Sequence, residues 1–72
     1  SIGINERFSF INELFQGNQQ FYHQCIDQLN SMIEYKEAEK MIAETLAVKF
    51  QWEKDSSRYL QFEELIKRRF NA

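Results

Sequence analysis

Apolar residues recur at three- and four-residue spacing almost from one end of the chain to the other, and alternating β-branched runs are missing. That pattern predicts an all-α fold, a compact bundle of about four short helices with no linker between them. The first helix is expected to start after Asn5, read as its N-cap, with Glu6 in the opening turn. Phe8, Phe10, Ile11, Leu14 and Phe15 then cover an arc of roughly 160°. Gly17 supplies a left-handed residue that closes the helix, and Asn18 caps the next.

The second helix, about Gln19 to Asn30, gathers Phe21, Tyr22, Cys25, Ile26 and Leu29 on one face. His23, Gln24, Asp27, Gln28 and Asn30 fall on the other. Asn30 and Ser31 loosen the helix, because their side chains compete for backbone hydrogen bonds, and Met32 and Ile33 are expected to continue into the core. The third helix, about Tyr35 to Val48, should turn Ala38, Met41, Ile42, Thr45 and Leu46 inward. Its outer face carries Lys36, Glu37, Lys40 and Glu44, where Lys36–Lys40 repels and Lys40–Glu44 attracts. "KFQWEKDSS" reads as an irregular turn that drops Phe50 and Trp52 into the fold, with Asp55 or Ser56 capping the last helix. That helix, about Ser57 to Phe70, holds Tyr59, Leu60, Phe62, Leu65, Ile66 and Phe70 over roughly 220°. Lys67, Arg68 and Arg69 complement its dipole.

Composition adds a constraint. Seventy-two residues make one domain, here residues 1–72, and a chain of this size buries only roughly 60% of its unfolded surface. With one cysteine, Cys25, no intrachain disulfide can compensate, and a lone cysteine fits a reducing, cytoplasmic compartment. Seven Phe, three Tyr and one Trp supply the bulk instead, each ring burying roughly 150–250 Å². The chain opens at Ser1 without a methionine, which reads as a piece of a longer protein. No apolar run approaches the ~20 residues of a membrane span.

Candidate chemistry is thin. His23 and Cys25 stand two apart, so on a helix they point about 200° from one another and cannot grip one metal ion or form a nucleophile–base pair. Glu63 and Glu64 are adjacent and splay across the helix surface. No glycine-rich loop is present to cradle a phosphate. No enzyme activity, cofactor, metal or small-molecule substrate is predicted. A net charge of −2 gives no broad nucleic-acid footprint. The alternative of an accessory nucleic-acid-binding element rests on Lys67, Arg68, Arg69 and Arg58, few charges where affinity sums many phosphate contacts.

The wide arcs of the outer helices leave two readings open. Either each outer helix packs against two neighbours and uses its whole arc in the core, or part of the arc docks a protein partner or a second copy. On the second reading the contact residues are Phe10 and Leu14 on the first helix, and Leu60 and Leu65 on the last.

"IGINERFSFINELFQGN" at the start, "EAEKMI" in the middle, and a tryptophan ahead of the closing "FEELIKRRF" form a pattern that covers nearly the whole chain. It resembles a short all-helical module carried, often at the C-terminal end, by proteins of Bacteroidetes bacteria. The resemblance implies a detached helical domain whose parent ends near Ala72. Its motifs are packing and capping signals, and it implies no activity and no functional residues.

Overall fold

The computed structural model describes residues 3–71. Four helical rods are present, with no strand among the described residues: α1 (Ile4–Leu14), α2 (Gln19–Asn30), α3 (residues 35–49) and α4 (Ser57–Asn71). They fold into a body of 28 × 25 × 22 Å with a radius of gyration of 11.3 Å.

α1 begins one turn of logic earlier than its sequence suggests. Gly3 is the N-cap, with no side-chain cap bond, and Asn5 is already helical. The Asn5 backbone carbonyl also accepts the Ser9 hydroxyl at 3.0 Å, one turn along the helix. The other end uses two left-handed residues: Gln16 (φ 55°) joins Gly17 (φ 78°), and the Gly17 N–H reaches back to the Ile11 carbonyl at 2.8 Å. Asn18 does cap α2, its side chain accepting the Phe21 N–H at 3.0 Å. Met32 packs half-buried against the core as expected. Ile33 does not: it stands 89% exposed in the connection between α2 and α3.

α3 is continuous but not uniform. Tyr35–Met41 is α-helical, Ile42–Leu46 is a π turn in which the Ala47 N–H bonds the Ile42 carbonyl, and Ala47–Lys49 completes the rod. A π turn advances each residue through less than the ~100° of an α-helix. Ala38, Ile42 and Leu46 therefore stay in line and are all buried, while Thr45 rotates out to solvent, against expectation. Met41 is half-buried at the margin. Among the described residues Lys40 and Glu44, which straddle the π turn, form no ion pair. The rod stops at Gln51 (φ 56°), where the Trp52 N–H bonds the Ala47 carbonyl at 2.9 Å and the Gln51 N–H bonds Val48 at 3.3 Å. This is a Schellman closure with glutamine where glycine is usual. Ser56 caps α4, its hydroxyl accepting the Tyr59 N–H at 3.3 Å.

The core is a ring cluster centred on Phe15, which is fully buried and meets Phe21, Tyr22, Phe50, Trp52 and Phe62 at centroid distances of 5.4–6.2 Å. Most of these pairs meet edge to face, the arrangement the aromatic quadrupole favours. Leu29, Ile42, Leu46 and Ile66 seal the cluster from the other helices. The Trp52 indole N–H donates to the Leu14 carbonyl at 2.7 Å, so the ring both fills the core and satisfies an end group of α1.

Candidate functional site

The four residues expected to make contact separate into two groups. Phe10 and Leu14 are 0% and 3% exposed and belong to the core, which corrects their assignment to a docking surface. Phe10 meets Phe62 edge to face at 5.4 Å, and the Arg58 guanidinium covers the rest of its ring at 5.9 Å. Two neighbours thus consume the whole inner arc of α1. Leu65 is half-buried beside the core and lines a shallow groove with Glu6, Leu60, Gln61, Glu64 and Arg68. Leu60 is 50% exposed, turned away from Tyr59 and Phe62, and is not one of the core residues of α4. A single exposed leucine among Gln and Glu is ordinary protein surface.

The basic residues of α4 do not form one free patch. Arg58 pairs with Glu13 at 3.1 Å and donates to Gln61 at 2.8 Å; Arg68 lies 3.8 Å from Glu64; Arg69 donates to Asn30. Lys67, Arg68 and Arg69 follow one another at about 100° intervals, so their charges fan out around the helix end. His23 is exposed and Cys25 buried, on opposite sides of α2. Burial pushes the Cys25 thiol up to about 11, only slightly offset by the Lys49 charge, which makes it a small core residue rather than a nucleophile. Among the described residues no three His, Cys, Asp or Glu side chains converge as a metal site requires.

A different surface emerges on the solvent-facing flank of α1. Ile4 and Phe8, one helical turn apart, are 63% and 45% exposed although Ile11, Leu14 and Phe15 of the same helix are buried. Asn5 and Asn12 on the same helix are exposed, as are Gln16, Asn18, Gln19 and Gln20 at the turn that follows it. Asn12 borders that turn, its Oδ1 lying 3.9 Å from where a Cβ at Gly17 would sit. The flank of α1 from Ile4 through Phe8 to Asn12 carries no charge; Glu6 and Glu13 occupy the opposite side, toward α4. The signal for this surface was in the sequence all along. Of nine basic and eleven acidic residues, only Glu6, Arg7, Glu13 and Asp27 precede Glu34. Helical periodicity does not register charge distribution, and arc width singled out the buried side of α1 instead.

Among the described residues no helix is long and apolar enough to cross a membrane. No curated protein and no solved structure matches the chain. One family model does, over residues 1–71. The chain belongs to the family described as Domain of unknown function (DUF8457).

Proposed function

We propose that this domain is a non-catalytic protein-contact module that docks through the exposed, uncharged flank of α1, with Ile4 and Phe8 as its apolar anchors. The observation that carries it is the exposure of those two side chains one helical turn apart on a helix whose other large apolar residues are buried. Protein interfaces are depleted in Lys, Glu and Asp at their centres and enriched in aromatics, and this is the part of the molecule with that composition. The partner favoured is a second copy of the same chain. A two-fold contact uses the same patch on both copies, residue i meeting j and j meeting i, and a patch without charged residues brings no like charges together.

Two anchors and their neighbours supply far less than the ~800 Å² per partner of a standard interface. The contact is therefore weak for the isolated domain. Were the domain carried on a longer chain that itself assembles, the tether would raise its effective concentration. Amide spectra recorded from about 10 μM to 1 mM test this reading, the range in which such a weak contact falls. Concentration-dependent shifts confined to residues 4–20, abolished by Phe8→Asp with the far-UV spectrum unchanged, support it. Superimposable spectra across that range, or a Phe8→Asp variant that unfolds, count against it.

A further inference from the structure

A second feature lies elsewhere on α1, at Arg7, which is turned about 100° from Phe8. Arg7 from α1, Tyr22, His23 and Ile26 from α2, and Arg69 from α4 line one small concavity of about 190 Å³. Three helices thus bring two guanidinium groups, a phenol and an imidazole to a single opening. Arg7 is half-buried at its wall. Arg69 is held in place by its Nη1, which donates to Asn30 Oδ1 at 2.6 Å. The His23 ring rests edge to face on Tyr22 at 5.4 Å.

The electrostatics of this notch are unbalanced. The ion pairs of the described residues are Arg58–Glu13 and Arg68–Glu64; neither Arg7 nor Arg69 has a carboxylate within reach there. Both arginines act on the Tyr22 phenol: burial raises its pKa above the ordinary value, Arg69 and then Arg7 work against that rise, and Glu6 contributes a smaller push upward. The phenol has no protein hydrogen-bond partner among the described residues, yet it is not a buried orphan, so its hydroxyl opens to the notch. Two guanidinium groups beside an open phenol hydroxyl offer convergent donors to an anion.

We propose that the Arg7–Tyr22–His23–Arg69 notch is a binding site for a phosphate group, with Ile26 as an apolar wall beside it. Arg guanidinium forks match the oxygen geometry of a tetrahedral anion, and the lining offers donors from three directions. The volume admits a phosphate with a small substituent, not a polymer. The notch adjoins the docking flank, since Arg7 stands three residues from Ile4, but the proposal does not depend on that flank docking.

The test is a titration of the domain with inorganic phosphate at constant ionic strength, followed by amide and arginine Nε–H shifts. Expected are saturable shifts at Arg7, Tyr22, His23 and Arg69, with affinity falling about tenfold or more in Arg7→Gln and in Arg69→Gln. Chloride at matched ionic strength should move none of these signals, and acetate should bind more weakly than phosphate. Shifts that grow linearly without saturating, that appear equally at Lys36, Lys40 and Lys49, or that persist in both variants would overturn the assignment. Arg58→Gln, which removes a charge from the same helix outside the notch, should leave the phosphate response intact; loss of binding there would also reject the site. Each variant's melting curve separates loss of binding from loss of fold.

Discussion

Trp52 joins the end of one helix to the centre of the core, and replacing it with phenylalanine separates those roles. Trp52→Phe removes the 2.7 Å hydrogen bond to the Leu14 carbonyl and leaves that partly buried acceptor without its donor. Losing such a bond costs about 1–1.5 kcal/mol. The phenyl ring also covers less apolar area than the indole; for a half-buried side chain the lost area is worth about 0.5–1 kcal/mol at ~25 cal/mol per Å². Contacts with Phe15, Tyr59 and Phe62, at 5.2–6.0 Å, are largely retained by the smaller ring. The sum is about 2 kcal/mol, from a total near 4–10 kcal/mol for a domain of this length. For so small a domain each kcal/mol lowers the melting temperature by about 4–8 °C, which predicts a fall of about 10–15 °C. Urea unfolding followed by far-UV circular dichroism measures it, since the variant has no tryptophan left to fluoresce. A loss below about 0.5 kcal/mol, or an indole N–H in the parent that exchanges as fast as free indole, would refute the bridge.

Other perturbations follow from the same geometry. Phe15→Ala vacates the centre of the ring cluster and should cost about 3–5 kcal/mol, leaving the domain largely unfolded when warmed in a calorimeter. Asn18→Ala removes a real cap and should cost about 1 kcal/mol, whereas Asn5→Ala, inside the first turn of α1, should change stability by less than about 0.5 kcal/mol in chemical denaturation. Gly17→Ala forces a Cβ into φ 78° and should cost about 1 kcal/mol, while Gln51→Gly relaxes φ 56° and should be neutral to slightly stabilising in the same assay. The folded protein holds the Cys25 proton more tightly than the unfolded chain, with the thiol raised from 9.0 to about 11 by burial. Stability from this group is full below about pH 9 and is lost as pH climbs through about 11, a slope that Cys25→Ala should reduce in pH-dependent melting curves.

Reading the sequence recovers what local physics determines. The spacing of Phe10, Ile11, Leu14 and Phe15, the cap at Asn18 and the entry of Phe50 and Trp52 are all in the structure because each depends on a few neighbouring residues. Thr45 and Gln51 show where that reasoning stops. Whether a rod widens into a π turn after Met41 is decided by which neighbours receive Ile42 and Leu46, and a glutamine gives no sign that it will adopt a left-handed conformation. Ile33 fails for a related reason: hydrophobicity says a side chain gains from burial, not that the remaining helices have room for it. The contact surface was misplaced because a wide apolar arc signals many neighbours, and in this bundle the neighbours are internal. Phe10 carries Phe62 on one side and Arg58 above, with nothing left to offer a partner.

The arrangement of charge then links fold to proposed role. Most ionisable residues lie from Glu34 onward, so α3 and α4 carry a mixed, well-hydrated surface, while the exposed flank of α1 is left with carboxamides and two exposed apolar side chains. Carboxamides cost less to desolvate than ionised groups and can re-pair across an interface, so this flank meets a protein surface at the lowest electrostatic penalty the molecule offers. Arg7 is the exception on α1, and it lines the notch with Tyr22 and Arg69. If the flank docks and the notch binds phosphate, the two share α1 as a rigid rod. Occupying the notch neutralises the charge nearest the docking flank and should leave self-association unchanged or slightly tighter. Repeating the dilution series with phosphate present measures that coupling, and a weakened association would show that the two surfaces overlap.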